Sequence, residues 1–208
     1  MKLHAPSHIQ RRIGEKLFLK AERDATPKSA MVRRPYPPGV HGRRRRRGLS
    51  EFGIELAEKQ KVCFLYGLSD SQLKRFVRAA RRASGRTATQ ALGELLERRL
   101  DNVVFRLGLA PSRRIARQLI AHGHILVNGR PARIASRLLR SGERTSVREA
   151  SRSHPIFEGL AIRLKKHEPP GWLGLDPEAQ AGEVRRLPAE EDISIPFNLS
   201  KVIEYYSR

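Results

Sequence analysis

Between residues 50 and 123 the apolar positions recur at helical spacing, and most runs stop at a glycine. Ser50 suits an N-cap for a helix through Tyr66, on which Phe52, Leu56, Cys63 and Tyr66 share one face; Gly67 closes it. Ser69 and Gln72 have capping-box spacing, in which the side chains and amides of a helix start satisfy each other. The stripe that follows is Leu73, Phe76, Val77 and Ala80, ended by Gly85. A further helix is expected over 88–98. Leu100, Val103, Val104 and Leu107 mark the next, and Gly108 can close it in a left-handed conformation. Ser112 then suits an N-cap for a helix with the stripe Ile115, Leu119 and Ile120, and Gly123 is its stop. At Ile125–Val127 the pattern becomes a short β run, and Asn128-Gly129 behind it is a strong hairpin signal, because both turn positions need positive φ. The order is helix, helix, hairpin. Farther on, 145–148 reads as a strand, 156–166 as a helix and 169–171 as a break. The runs 173–175 and 184–187 suit strands, and Asn198 is placed to cap a terminal helix holding Leu199, Val202, Ile203 and Tyr206. Residues 1–48 lack such a period and are expected to be extended when free. The predicted fold class is α+β.

Charge changes the picture from fold to partner. The 208 residues carry 42 Lys and Arg against 21 acids, a formal net charge of +21. Such an excess favours a polyanion, RNA or DNA. Residues 1–48 hold fourteen of the cations against three acids, and five of them are consecutive, Arg43, Arg44, Arg45, Arg46 and Arg47. No Asp or Glu occurs between Asp101 and Glu143, a stretch with eight arginines. Unopposed positive charge on one compact unit is a nucleic-acid footprint. No apolar run reaches the roughly 18–20 residues that span a bilayer, so no membrane partner is expected. Cys63, the single cysteine, excludes an intramolecular disulfide, fits a reducing cytosol and reads as a small buried hydrophobe.

Within the module, Ser112 and the first amides of its helix can receive a phosphate, flanked by Arg113 and Arg114. Arg113, Arg114 and Arg117 form a helix face with no acid close in sequence, which favours RNA over a merely solvated face. His122 and His124 suit the end of an RNA-facing helix better than a metal site, because His-x-His lacks further ligands nearby. Asn128 and Gly129 set the turn that presents Arg130. Trp172 reads as a packing anchor. Only twelve residues are aromatic, so recognition through phosphates, sugars and shape is expected. No Ser/His/Asp set, phosphate loop or carboxylate pair stands out, so neither an enzyme, nor a small-molecule substrate, nor a cofactor is expected.

The order Arg99-Leu100-Asp101, Ser112-Arg113, Ala116-Arg117-Gln118-Leu119, Gly123-His124-Ile125 and Val127-Asn128-Gly129-Arg130 resembles the RNA-binding module of the ribosomal protein S-four family. Pseudouridine synthases also carry this module, but they need a separate catalytic domain larger than what remains here. The resemblance runs on through Gly14–Lys20, Arg33–Gly42, Leu56–Val62, Trp172-Leu173 and Val202–Arg208, and so covers nearly the whole chain. It implies direct binding of small-subunit ribosomal RNA at a multi-helix junction of the 5′ domain, nucleating assembly of the body. It further implies a neighbouring protein S-five at an interface tied to decoding accuracy, and basic residues along the messenger RNA entry channel. For RNA contact it implies Arg43 to Arg47, Lys59, Lys61, Arg99, Ser112, Arg113, Arg114, Arg117, Gln118, His122, His124, Asn128, Gly129 and Arg130. It divides the chain into a basic segment 1–48, a helical domain 49–96 completed by 170–208, and the module 97–168. A stand-alone RNA-binding assembly or stress factor is the alternative. Many relatives hold zinc on four N-terminal cysteines; those positions fall here at Ser7, Gln10, Asp24 and Ser29, so no metal is expected.

Overall fold

The computed structural model describes residues 6–17, 19, 24, 26–44, 48–193 and 197–207. The fold is α+β and divides into two compact units, 1–92 with 195–208, and 93–194.

In the first unit, helices α1 (Pro6–Ile13) and α2 (Ala30–Arg33) precede α3 (Glu51–Leu65), α4 (Asp70–Arg81) and the start of α5 (Ala88–Glu97). Ser50 caps α3 by accepting from the Gly53 amide, and Ser69 with Gln72 forms the expected capping box on α4. The terminal helix α9 (Leu199–Tyr205) packs on α3, capped by Asn198, which accepts from the amides of Ser200 and Lys201. Val62, Leu68, Leu73, Val77, Leu92 and Val202 are among the side chains buried here.

Where an extended segment was expected when free, the described residues of 1–48 include the helices α1 and α2. They lack an apolar period because polar side chains do the packing. Gln10 Nε2 donates to Asp24 at 2.7 Å while its Oε1 accepts from the Leu17 amide at 3.1 Å. Arg11 Nε donates to the carbonyls of Arg34 and Tyr36 at 3.1 and 3.0 Å. Gln10, Asp24 and Ser29, three of the four positions aligned with zinc cysteines, are buried.

The second unit holds the rest of α5, then α6 (Leu100–Arg106), α7 (Arg113–Ala121) and a five-stranded antiparallel sheet. Its strands β1 (Ile125–Val127), β2 (Arg130–Pro131), β3 (Arg144–Val147), β4 (Leu173–Asp176) and β5 (Ala181–Val184) lie in the order β2-β1-β3-β5-β4. Between β3 and β4 come two short 3₁₀ turns and α8 (Leu160–Lys165), where one longer helix was expected. Leu100, Val104, Leu107, Ile120, Ile125, Val147, Leu164 and Trp172 share one core. Trp172 is wholly buried and offers no stacking face to a base.

The sheet runs on past residue 168, where the module was expected to end. β5 pairs with β3, placing Gly182 opposite Thr145, and β4 pairs with β5. Residues 173–176 and 181–184 therefore extend the sheet of the module, and the last helix belongs to the first unit. Gly182 explains part of this: a Cβ there would lie 2.4 Å from a Leu107 methyl and 2.7 Å from the Gly174 carbonyl oxygen. Glycine alone lets β5 lie that close beneath α6.

Candidate nucleic-acid interface

Helices α6 and α7 pack together, and the hairpin β1–β2 follows α7 after the Gly123 stop. Ser112 accepts from the Ile115 amide and so starts α7 as expected. Asn128 and Gly129 have φ of 50° and 77°, which sets the turn and puts Arg130 at the start of β2. Asn128 also accepts from the Arg144 amide through its Oδ1 at 2.8 Å, tying the turn to β3.

The arginines of this unit fall into two groups. The acids that bracket the acid-free stretch reach back into it. Arg99 clamps Asp101 through two bonds of 3.0 and 2.7 Å, with both side chains 3% exposed. Arg117 Nη2 donates to the same carboxylate at 2.8 Å. Arg106 holds the fully buried Glu97 at 3.0 Å. Arg113 Nε donates to Asn102 Oδ1 at 2.8 Å, and its guanidinium lies over the Phe105 ring. Arg113 and Arg117, expected to meet RNA, thus tie α7 to α6, while Arg106 ties α6 to α5; Arg99, expected there too, is buried against Asp101. Sequence distance concealed this, since Arg117 is sixteen positions from its partner.

The second group is exposed. Arg114, Arg130, Arg133, Arg140 and Arg148 have no ion pair or side-chain hydrogen bond among the described residues. Gln118 is exposed beside Arg114 on α7. His122 is exposed at the end of α7, and the His124 ring stands 6.0 Å from it and 5.4 Å from that of His154. Burial, reinforced by His154, His122 and Arg148, depresses the His124 pKa below the ordinary imidazole value. Its Nδ1 lies 2.9 Å from Ser151 Oγ. The module therefore offers phosphate a surface built on Arg114, Arg130, Arg133 and Arg148, the last two unforeseen as site residues.

In the other unit Lys59 pairs with Asp70 at 2.6 Å, and buried Lys61 pairs with Glu58 at 2.7 Å and with Glu15. Burial opposes the Lys61 charge, but the two carboxylates outweigh it and hold its pKa above the ordinary lysine value. Both lysines, expected to meet RNA, are engaged in ion pairs within the fold. Arg43 lies against Tyr36, 5.0 Å from the ring centroid, and Arg44 is exposed; Arg45, Arg46 and Arg47 lie outside the described residues. Sequence reasoning missed Lys74, Arg75, Arg78 and Arg82 on and just after α4. All four are exposed, with no ion pair among the described residues, on the face opposite Leu73, Val77 and Ala80. The signal was present: no acid occurs between Asp70 and Glu94.

Among the described residues no three His, Cys, Asp or Glu side chains stand so as to hold a metal, and no helix is long and apolar enough to cross a membrane.

A helix–helix–hairpin unit with exposed arginines on α7 and along the hairpin is the arrangement of S4-type RNA-binding proteins. The S4 domain family matches residues 98–144, and the family described as the ribosomal protein S4/S9 N-terminal domain matches residues 2–97. The small ribosomal subunit protein uS4 of Thermus thermophilus is 48% identical over 198 residues, 95% of this chain and 94% of that protein. Those of Syntrophomonas wolfei and Acetivibrio thermocellus are 46% and 44% identical, the latter over 98% of this chain and 97% of its own length. The chain belongs to the family of small ribosomal subunit protein uS4.

Proposed function

We infer that this protein is a non-enzymatic structural component of the small ribosomal subunit and binds its ribosomal RNA directly. The observation that carries the reading is the exposed, unpaired arginine surface of the S4 domain, set beside an inner set of arginines already committed to carboxylates. A polyanion is the partner that such a surface lacks. In finer detail, the RNA is a multi-helix junction of the 5′ domain, which the protein engages early and so nucleates assembly of the body. A neighbouring protein S-five and the messenger RNA at the entry channel, met by Arg43 to Arg47, complete its surroundings in the cytoplasmic ribosome. Its influence on decoding accuracy follows from the first of these contacts.

Co-sedimentation tests the reading. The protein is expected at one copy per mature small subunit after a moderate salt wash. Its presence only on precursor particles would make it an assembly factor and overturn the structural role.

A further inference from the structure

Beside the hairpin runs an open groove of about 620 Å³, lined by Leu126, Gly129, Pro131, Arg148, Glu149 and Ala150. Strand alternation makes its floor. Ile125 and Val127 enter the core, so Leu126 faces the other way, with Pro131 opposite it in register. Pro131 can sit there because β2 is an edge strand, where a missing amide breaks no further ladder. The wall follows β3: the Arg148 amide donates to the His124 carbonyl at 2.8 Å and so fixes where the 3₁₀ turn Glu149–Ser151 begins.

Glu149 is the informative residue. It is exposed, and among the described residues nothing pairs with its carboxylate. Arg148 lines the same groove, and Arg130 falls in sequence between two of its lining residues, Gly129 and Pro131. A free carboxylate weakens any surface meant only for phosphate. It makes sense where a nucleobase turns its hydrogen-bond donors toward the protein. Guanine presents two such donors side by side, N1–H and the N2 amine, matching two carboxylate oxygens. Adenine and cytosine offer a single amine on that edge, and uracil a single N–H. The apolar floor and a guanidinium at the rim suit the faces of an unstacked base.

We propose that this groove binds one unstacked guanine of single-stranded RNA, with its base on Leu126 and Pro131 and its donor edge on the Glu149 carboxylate. Arg148 meets the base face or the adjoining phosphate. The proposal rests on the RNA-binding reading and narrows it to one nucleotide.

The test is an amide NMR titration of the full-length ¹⁵N-labelled protein with GMP, IMP and AMP, which carry the same phosphate. GMP should shift Gly129, Glu149 and Ala150 at about one-tenth the concentration AMP needs, the discrimination of a bidentate contact. IMP, which lacks the N2 amine, should fall between. Glu149→Gln should bring GMP to the AMP level. Equal response to all three, shifts confined to other surfaces, or a guanine preference that survives Glu149→Gln would each overturn the proposal. So would a groove that answers to polyglutamate and not to nucleotides. The wild-type protein, assayed in parallel on 5′-domain RNA, separates the two readings. Tight, salt-dependent binding without guanine preference leaves general RNA binding standing and removes the groove; absence of that binding removes both.

Discussion

Two arginines three residues apart on one helix show how little a local run of charge says about its use. Arg114 and Arg117 both lie on α7, yet Arg114 is exposed and has no ion pair among the described residues, while Arg117 reaches Asp101. The sequence gap between Asp101 and Glu143 was real, but its edges are acids that fold back onto the arginines within it. Asp101→Asn should therefore destabilise the protein by about 3–5 kcal/mol, because it leaves Arg99 buried without a counter-charge. RNA affinity per folded molecule should stay unchanged. Replacing Arg130, Arg133 and Arg148 together with Ala should do the reverse: the midpoint of thermal unfolding barely moves, and RNA binding weakens by several kcal/mol, since each charge-assisted bond contributes about 1.5–3. Filter binding beside a thermal melt checks both variants. His124 adds a pH dependence. Its native pKa lies below that of the unfolded imidazole, ordinarily 6.5, with burial the chief cause. As pH falls through that value, the unfolded chain takes up a proton before the native one does. Stability contributed by neutral His124 is thus full above pH 6.5 and is lost as pH falls through the native pKa. Imidazole NMR should show this ring titrating below 6.5, and a midpoint at or above it would refute the assignment. Cys63 behaves as its apolar face suggested: burial raises its thiol pKa to about 11, so labelling should await unfolding.

The secondary elements were legible wherever backbone chemistry marks an end. Ser50, Ser69, Ser112 and Asn198 each cap the helix expected of them, and Asn128-Gly129 makes its hairpin. Legibility failed where an element depends on distant partners. β5 begins at Ala181, three residues before the apolar run that suggested it, because pairing with Thr145 and room beneath Leu107 select Gly182. Helix α1 went unseen because its buried face is Gln10 and Arg11, polar residues stabilised by Asp24 and by backbone carbonyls. The cationic stripe of α4 is the element most open to test. Lys74, Arg78 and Arg82 recur every four residues, about 6 Å of rise apart on one face. Their joint replacement by Gln should weaken binding to 5′-domain RNA and lower the salt slope by about two to three. Helix content should hold, because the apolar stripe on the opposite face is untouched. An unaltered slope would show that this face points away from RNA in the complex.

For the molecule as a whole, the net charge of +21 sets the scale of binding but overstates the contacts available. A cation spent on a carboxylate inside the fold displaces no counterion from RNA. Arg99, Arg106, Arg117, Lys59 and Lys61 are spent in this way. Among the described residues each unit keeps exposed cations without an ion pair, including Arg114, Arg130, Arg133, Arg140 and Arg148 in one and Lys74, Arg75, Arg78 and Arg82 in the other. Log K for 5′-domain RNA should fall with log salt by roughly 0.7–0.9 for each phosphate neutralised, with an apparent count of about six or more. The two sets should contribute separately, since residues of different surfaces with no shared partner behave additively. Removing the module arginines or the α4 cations alone should take away part of the slope, and removing both should take away most of it. A filter-binding series across salt, run on the wild type and these three variants, decides the matter. A nearly flat wild-type response would mean that the exposed cations are solvated and that RNA is held by other means. A slope that collapses with the module arginines alone would confine phosphate contact to the S4 domain and leave the α4 surface for a different, acidic neighbour.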